Sequence, residues 1–168
     1  MKRRTVLGLC MIAASGHACV SDAQEPAKNA TVTFYSQGNQ MTLGVPGTKH
    51  SLFFGRVFDG QQLLFSFHAK SIVSFTLPAG SHTFSAGYGK KPPSNDYLSL
   101  TLQAGNTYLL RAQSEASINL ISDKGRLEVV SCETARKETA GYEPLDKKKV
   151  APQMVAAVIA AQIPIVCP

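Results

Sequence analysis

The sequence predicts a mainly β protein: an antiparallel β-sandwich or open barrel of about seven or eight strands, with a short C-terminal helical extension. Three observations carry that expectation. From Thr31 to Val130, apolar residues recur at every second position, the period at which a strand turns one face to a core and the other to water. Turn residues interrupt this stretch at short intervals. Between the strands there is no helix-period segment to make the crossover that a parallel neighbour needs, so antiparallel pairing is expected.

Taken in order, Val32 and Phe34 alternate with Thr31 and Thr33, and a denser run from Leu52 and Phe54 reaches Phe58. Asp59-Gly60 suits a tight hairpin turn, and Leu63-Leu64-Phe65-Ser66-Phe67 is the return strand. Val73, Phe75 and Leu77 alternate as far as Pro78-Ala79-Gly80-Ser81, where proline presets one turn angle and glycine permits the other. His82, Phe84, Ala86 and Tyr88 share the next face, and Gly87 to Asn95 reads as an exposed loop because Gly89, Pro92 and Pro93 cannot sit together in a strand ladder. Leu98, Leu100 and Leu102 then alternate, and Ala104-Gly105-Asn106 is expected to turn them back as a hairpin onto Tyr108-Leu109-Leu110. Ile118 and Leu120, a turn at Asp123-Lys124-Gly125, and Leu127 to Val130 complete the set. Glu133 to Ala140 can form two helical turns ended by Gly141.

The first residues precede all of this with a different pattern. Lys2, Arg3 and Arg4 give a positive start, Val6 to Ala14 a short apolar stretch, and Ser15, Gly16 and Ala18 a small-residue end, which is the order of a secretory signal. Such a stretch spans only ~14 Å as a helix against a bilayer core of ~30 Å, so no transmembrane span is expected to remain after signal removal. Cleavage after Ala23 makes residues 1–23 the signal peptide and leads to secretion into a periplasm or the medium. A cut after Ala18 instead exposes Cys19, the position that bacterial lipoproteins acylate, although Ser15-Gly16-His17-Ala18 makes a poor lipobox.

Removing residues 1–23 leaves 145 residues and lowers the formal net charge from +6 to +4. With 44% apolar and 17% charged residues, the composition excludes a disordered chain, a collagen, a coiled coil and a polytopic membrane protein. A chain of this length hides roughly 70% of its unfolded surface, and residues 24–140 are expected as one β domain. Residues 141–168 read as a linker and an apolar C-terminal helix or tail. The apolar residues of Val150–Ile163 surround a helix on every side, so the segment is expected to pack on the domain through Cys167, with docking on a partner or a membrane surface, or no stable helix at all, as the alternatives. Cys132 and Cys167 are expected to pair as a disulfide in an oxidising compartment, with free thiols as the alternative.

Chemistry-bearing motifs are sparse. His50, His68 and His82 lack metal-ligand spacing, and His82 shares a face with Phe84, which fits half-buried packing better than a general base. Neither a G-x-S-x-G elbow nor a phosphate loop is present, and no cofactor or metal is expected. Gly87-Tyr88-Gly89-Lys90-Lys91 reads either as a solvated turn or as an anion or glycan contact, which makes Tyr88, Lys90, Lys91 and Asn95 a candidate ligand loop. Lys147-Lys148-Lys149 reads as a solvated linker or an attractor of anionic headgroups. Without a basic stripe interleaved with aromatics, nucleic acid is disfavoured.

The stretch Phe75-Thr76-Leu77-Pro78-Ala79-Gly80-Ser81-His82-Thr83-Phe84, followed by Leu102-Gln103-Ala104-Gly105-Asn106-Thr107-Tyr108, resembles short bacterial envelope β-domains of unknown function, often lipoproteins, and more distantly PEGA-type domains. The resemblance runs from Ala30 to Ala140 and implies an envelope location and a β fold; it brings no catalytic residues. The expected function is a non-enzymatic exported envelope or secreted module that binds a protein or glycan through sheet edges and the Gly87–Asn95 loop. Two other classes compete: an enzyme using scattered groups such as His82 or Asp96, and a secreted inhibitor or surface-associating factor acting through Val150–Ile163.

Overall fold

The computed structural model describes residues 28–37, 55–68, 70–87, 89–114 and 124–167. The expected signal segment with Cys19, the start of the Leu52 run, Tyr88 and the strand at Ile118 and Leu120 lie outside these residues. Within them the protein is a single curled sheet forming an open half-barrel. Its strands are β1 (Asn29–Ser36), β2 (Gly55–Asp59), β3 (Gln62–Phe67), β4 (Ser71–Pro78), β5 (Gly80–Gly87), β6 (Tyr97–Leu102), β7 (Thr107–Ser114) and β8 (Lys124–Val129). Two-residue strands β9 (Glu143–Pro144) and β10 (Val158–Ile159) and one helix, α1 (Cys132–Glu138), complete the set.

Alternation sets the faces. Val32 and Phe34, Val73, Phe75 and Leu77, Phe84 and Ala86, and Leu110 and Ala112 all point into the barrel and form one buried cluster. Aromatic rings fill its centre: Phe34 meets Phe65 at 5.3 Å and Phe84 at 5.5 Å between centroids, and Phe65 meets Phe75 at 5.6 Å. Such tilted and edge-on pairs suit the ring quadrupole and add to area burial.

The neighbours are less regular than the faces. The main path runs β4-β1-β7-β8-β5-β2-β3, with β6 beside β5. Asp59-Gly60 does make the expected hairpin, Asp59 facing Gln62 across Gly60, whose φ of 54° lies in the left-handed region that glycine reaches without steric cost. The turn at Ala104-Gly105-Asn106 is not a hairpin: β6 pairs with β5, whereas β7 pairs with β1 and β8. Asn106 is a corner at which the chain leaves one part of the curl for another, and Thr31 N donates to its carbonyl at 2.9 Å. Lys124 and Gly125 are part of β8, with Gly125 opposite both Ser114 and Ala86.

One central pair is parallel, against the all-antiparallel expectation. β1 and β7 run side by side from Thr31 and Thr107 to Ser36 and Ala112. No crossover helix is needed because the intervening strands wrap around the barrel and return the chain to β1 in the same direction.

β3 and β4 end the main strand path, and the C-terminal segment spans the gap between them. Leu145 N donates to Ile72 O at 2.8 Å on the β4 edge; Val150 bridges to Phe65 and Ala151 N donates to Leu64 O at 2.9 Å on the β3 edge; Val158 and Ile159 then return to β4 as β10. Leu145, Val150, Ala151 and Met154 join the barrel core along this path. The α-helix expected over Val150–Ile163 is therefore replaced by a 3-10 turn at Pro152–Ala157 followed by a strand. A segment apolar on all sides gains more by satisfying exposed strand edges and filling a core gap than by winding on itself.

Helix α1 matches the expected two turns. Ser131 caps it, its Oγ accepting from Thr134 N at 3.2 Å, and Ala135 lies at the buried side. Together with Ile165, α1 covers Tyr35, Ile72 and Leu109 on the outer face of the sheet. The disulfide Cys132–Cys167, joining residues 35 apart, ties the end of the tail to the start of this helix. Because the tail closes both the barrel and its outer face, removing residues 147–168 abolishes cooperative unfolding in urea. In the full chain Cys167→Ser lowers the unfolding free energy by about 3–4 kcal/mol through lost loop constraint, while far-UV circular dichroism stays that of a β protein.

Candidate functional site

Arg56 organises one face of the molecule. It sits in β2 between Ser66 of β3 and Gly87 of β5, next to the inward Val57, so its side chain turns outward. Its Nη1 donates to Gly89 O at 2.8 Å, and the Tyr97 hydroxyl donates to Pro93 O at 2.6 Å. The expected ligand loop is thus pinned near both ends, while Lys90, Lys91 and Asn95 point into solvent.

On the other side of Arg56 lies the lysine run. Lys147–Lys149 is not a bare linker but a 3-10 turn, capped by Asp146, whose Oδ1 accepts from Lys148 N at 2.9 Å, and anchored to β3 by the next two residues. A groove of about 570 Å³ between this turn and the sheet is lined by Arg56, Leu63, Ser66, Lys148, Lys149 and Pro152 among others. Two basic segments far apart in sequence thereby flank one guanidinium, a juxtaposition with no local signal in the sequence.

His82 is committed to the scaffold. Its Nδ1 meets Asp59 Oδ2 at 2.5 Å, its Nε2 meets Pro78 O at 3.0 Å, and its ring stacks on Phe84 at 5.4 Å. The other Asp59 oxygen accepts from Thr83 N at 3.1 Å, so the carboxylate fastens the β2–β3 turn to β5. Asp96 does not join this pair: it precedes Tyr97, which faces Ser85, three positions along β5 from His82. Both ring nitrogens of His82 thus face acceptors of the scaffold. His82→Ala is expected to lower the unfolding free energy by about 1–2 kcal/mol, read from urea unfolding.

A second polar assembly gave no motif to find. Arg111, on the outer face of β7, donates from Nη2 to Glu128 Oε2 at 2.8 Å and from Nη1 to Glu138 Oε1 at 2.5 Å; the Tyr35 hydroxyl donates to Glu138 Oε2 at 2.5 Å. Arg111 stands directly across from Glu128 in the register, so the alternating pattern of the two strands was the only available hint. The hydrogen bond from Arg111 holds the Glu128 carboxyl below its ordinary range, and the same bond raises Arg111. Burial first, then the bond to Glu138, pushes the Tyr35 hydroxyl far above its ordinary range, and burial raises Tyr142 as well. Above about pH 10 the unfolded chain loses tyrosine protons that the folded chain keeps, so folding stability falls as pH rises. Thermal melts are expected to decline between about pH 9 and 11, and Tyr35→Phe, though less stable at neutral pH, is expected to decline less steeply over that range.

A larger groove of about 800 Å³ lies outside β1, between the tail and the β7–β8 end, with Thr31, Thr33 and Ser74 in its floor and Val129, Ile159 and Val166 at its rims. Those three rim residues are exposed, and Thr33 Oγ1 and Ser74 Oγ bond each other at 2.8 Å. Among the described residues no three His, Cys, Asp or Glu side chains group as metal ligands, and no helix is long and apolar enough to cross a membrane. Compared with protein-family models, curated proteins and solved structures, the chain matches none.

Proposed function

We propose that this chain is an exported, non-enzymatic binding module that contacts a protein or glycan through the Gly89–Asn95 loop. The observation that carries the reading is the anchoring of that loop: Arg56 and Tyr97 grip its backbone carbonyls while Lys90, Lys91 and Asn95 stay exposed. A loop fixed by its main chain presents its side chains with little ordering cost on binding, which is how rigid β scaffolds serve recognition. The groups with most chemical potential, His82 and the Arg111 network, are meanwhile engaged in holding strands and helix together. An envelope or secreted location follows from the signal-like start and suits a disulfide-tied domain.

Cross-linking the exported protein in its native envelope, with mass spectrometry of adducts and of the mature N-terminus, tests both parts. Lys90→Ala/Lys91→Ala/Asn95→Ala is expected to lose the adducts of the wild type without a change in melting temperature. The mature chain is expected to start at Gln24, or at an acylated Cys19 if the lipoprotein route operates. An unchanged adduct pattern, or an activity abolished by His82→Ala, rules the reading out.

A further inference from the structure

We propose that the outer face running from the Gly89–Lys91 loop across β2 and β3 to the Lys147–Lys149 turn binds an acidic polysaccharide. This rests on the loop reading above and names its ligand. Lys90 and Lys91 follow β5, Arg56 lies in β2, and Lys148 and Lys149 stand outside β3, so the cations span three strand spacings, about 14 Å. A linear polymer laid across the strands meets them in succession.

The groove suits a sugar chain more closely than a flat charged surface. Arg56 and Ser66 are half-buried in it, while Lys148 and Lys149 are exposed at its rim. A guanidinium offers a planar fork that matches carboxylate and sulfate oxygens, and a hydroxyl can accept from or donate to a sugar. Leu63 and Pro152 supply apolar wall against which a ring face can rest. Among the described residues the groove lining includes no aromatic side chain on which a nucleobase could stack. Asp59 is bonded to His82 and Thr83 N, and Asp146 accepts from the backbone N of Lys148 in the lysine turn.

The test titrates the disulfide-bonded protein, residues 24–168, with heparin and oligogalacturonate as sulfated and carboxylated polysaccharides. Inorganic polyphosphate and phosphatidylglycerol vesicles serve as sugar-free polyanions. The wild type is expected to bind the polysaccharides in preference to both, with affinity falling as salt rises. Lys148→Gln/Lys149→Gln and Lys90→Gln/Lys91→Gln, all at exposed positions, are each expected to weaken polysaccharide binding about tenfold and to reduce the salt slope by about two, at unchanged melting temperature. Absence of polysaccharide binding, equal binding of polyphosphate or vesicles, or full affinity in either double variant overturns the proposal. If no polysaccharide binds and the loop substitutions still abolish cross-linked adducts, the loop reading stands and only the ligand assignment falls. Full polysaccharide affinity in Lys90→Gln/Lys91→Gln together with an unchanged adduct pattern removes both.

Discussion

The structure depends on one covering interaction, the passage of the C-terminal segment across the gap between β3 and β4. Both edge strands would otherwise present rows of unpaired backbone groups, a template for aggregation. The segment bonds to Ile72 O, to Leu64 O and again to β4, and it drops Leu145, Val150 and Met154 into the same apolar cluster that Phe34, Phe65 and Phe75 fill from the sheet. Backbone satisfaction and core filling are thus provided by the same residues. Neither could be lost alone, because a tail that lifts from the edges also opens the core.

The outer face repeats the logic with polar groups. Tyr35, Ile72 and Leu109 would face water if α1 and Ile165 did not lie over them. The helix is held there by Glu138, which receives Arg111 and Tyr35, and by the disulfide at Cys132. Partly buried charges are tolerated in this position because each is paired and hydrogen-bonded. The same arrangement that closes the barrel also sets the lysine turn beside Arg56. The proposed contact surface is therefore a consequence of the closure as well as of the Gly89–Asn95 loop.

Much of this was legible beforehand where local rules apply. Alternation placed Val32, Phe34, Val73, Phe75 and Phe84 inside, Asp59-Gly60 named a true hairpin, Glu133 to Ala140 gave a two-turn helix, and Cys132 and Cys167 paired. His82 on the face of Phe84 proved to be packing, as its neighbours suggested. The errors share one cause. A turn such as Ala104-Gly105-Asn106 shows that the chain changes direction but not which strand it meets next, and Val150–Ile163 shows that the segment is covered, as it is by the domain, but not that its backbone takes a 3-10 turn and a strand instead of a helix. Pairing partners in a curled sheet are chosen by closure of the whole, which no window of ten residues contains.

By itself the sequence determined the β class, the inward and outward faces, the short helix ended by Gly141 and the cysteine pair, because period and turn chemistry act over a few residues. Only the tertiary structure decided that β1 and β7 lie parallel, that the tail closes the barrel, and that Arg56 stands between Lys90–Lys91 and Lys148–Lys149. These are relations between segments about 30 to 90 residues apart. They exist only once burial of a shared core and satisfaction of both sheet edges bring those segments together.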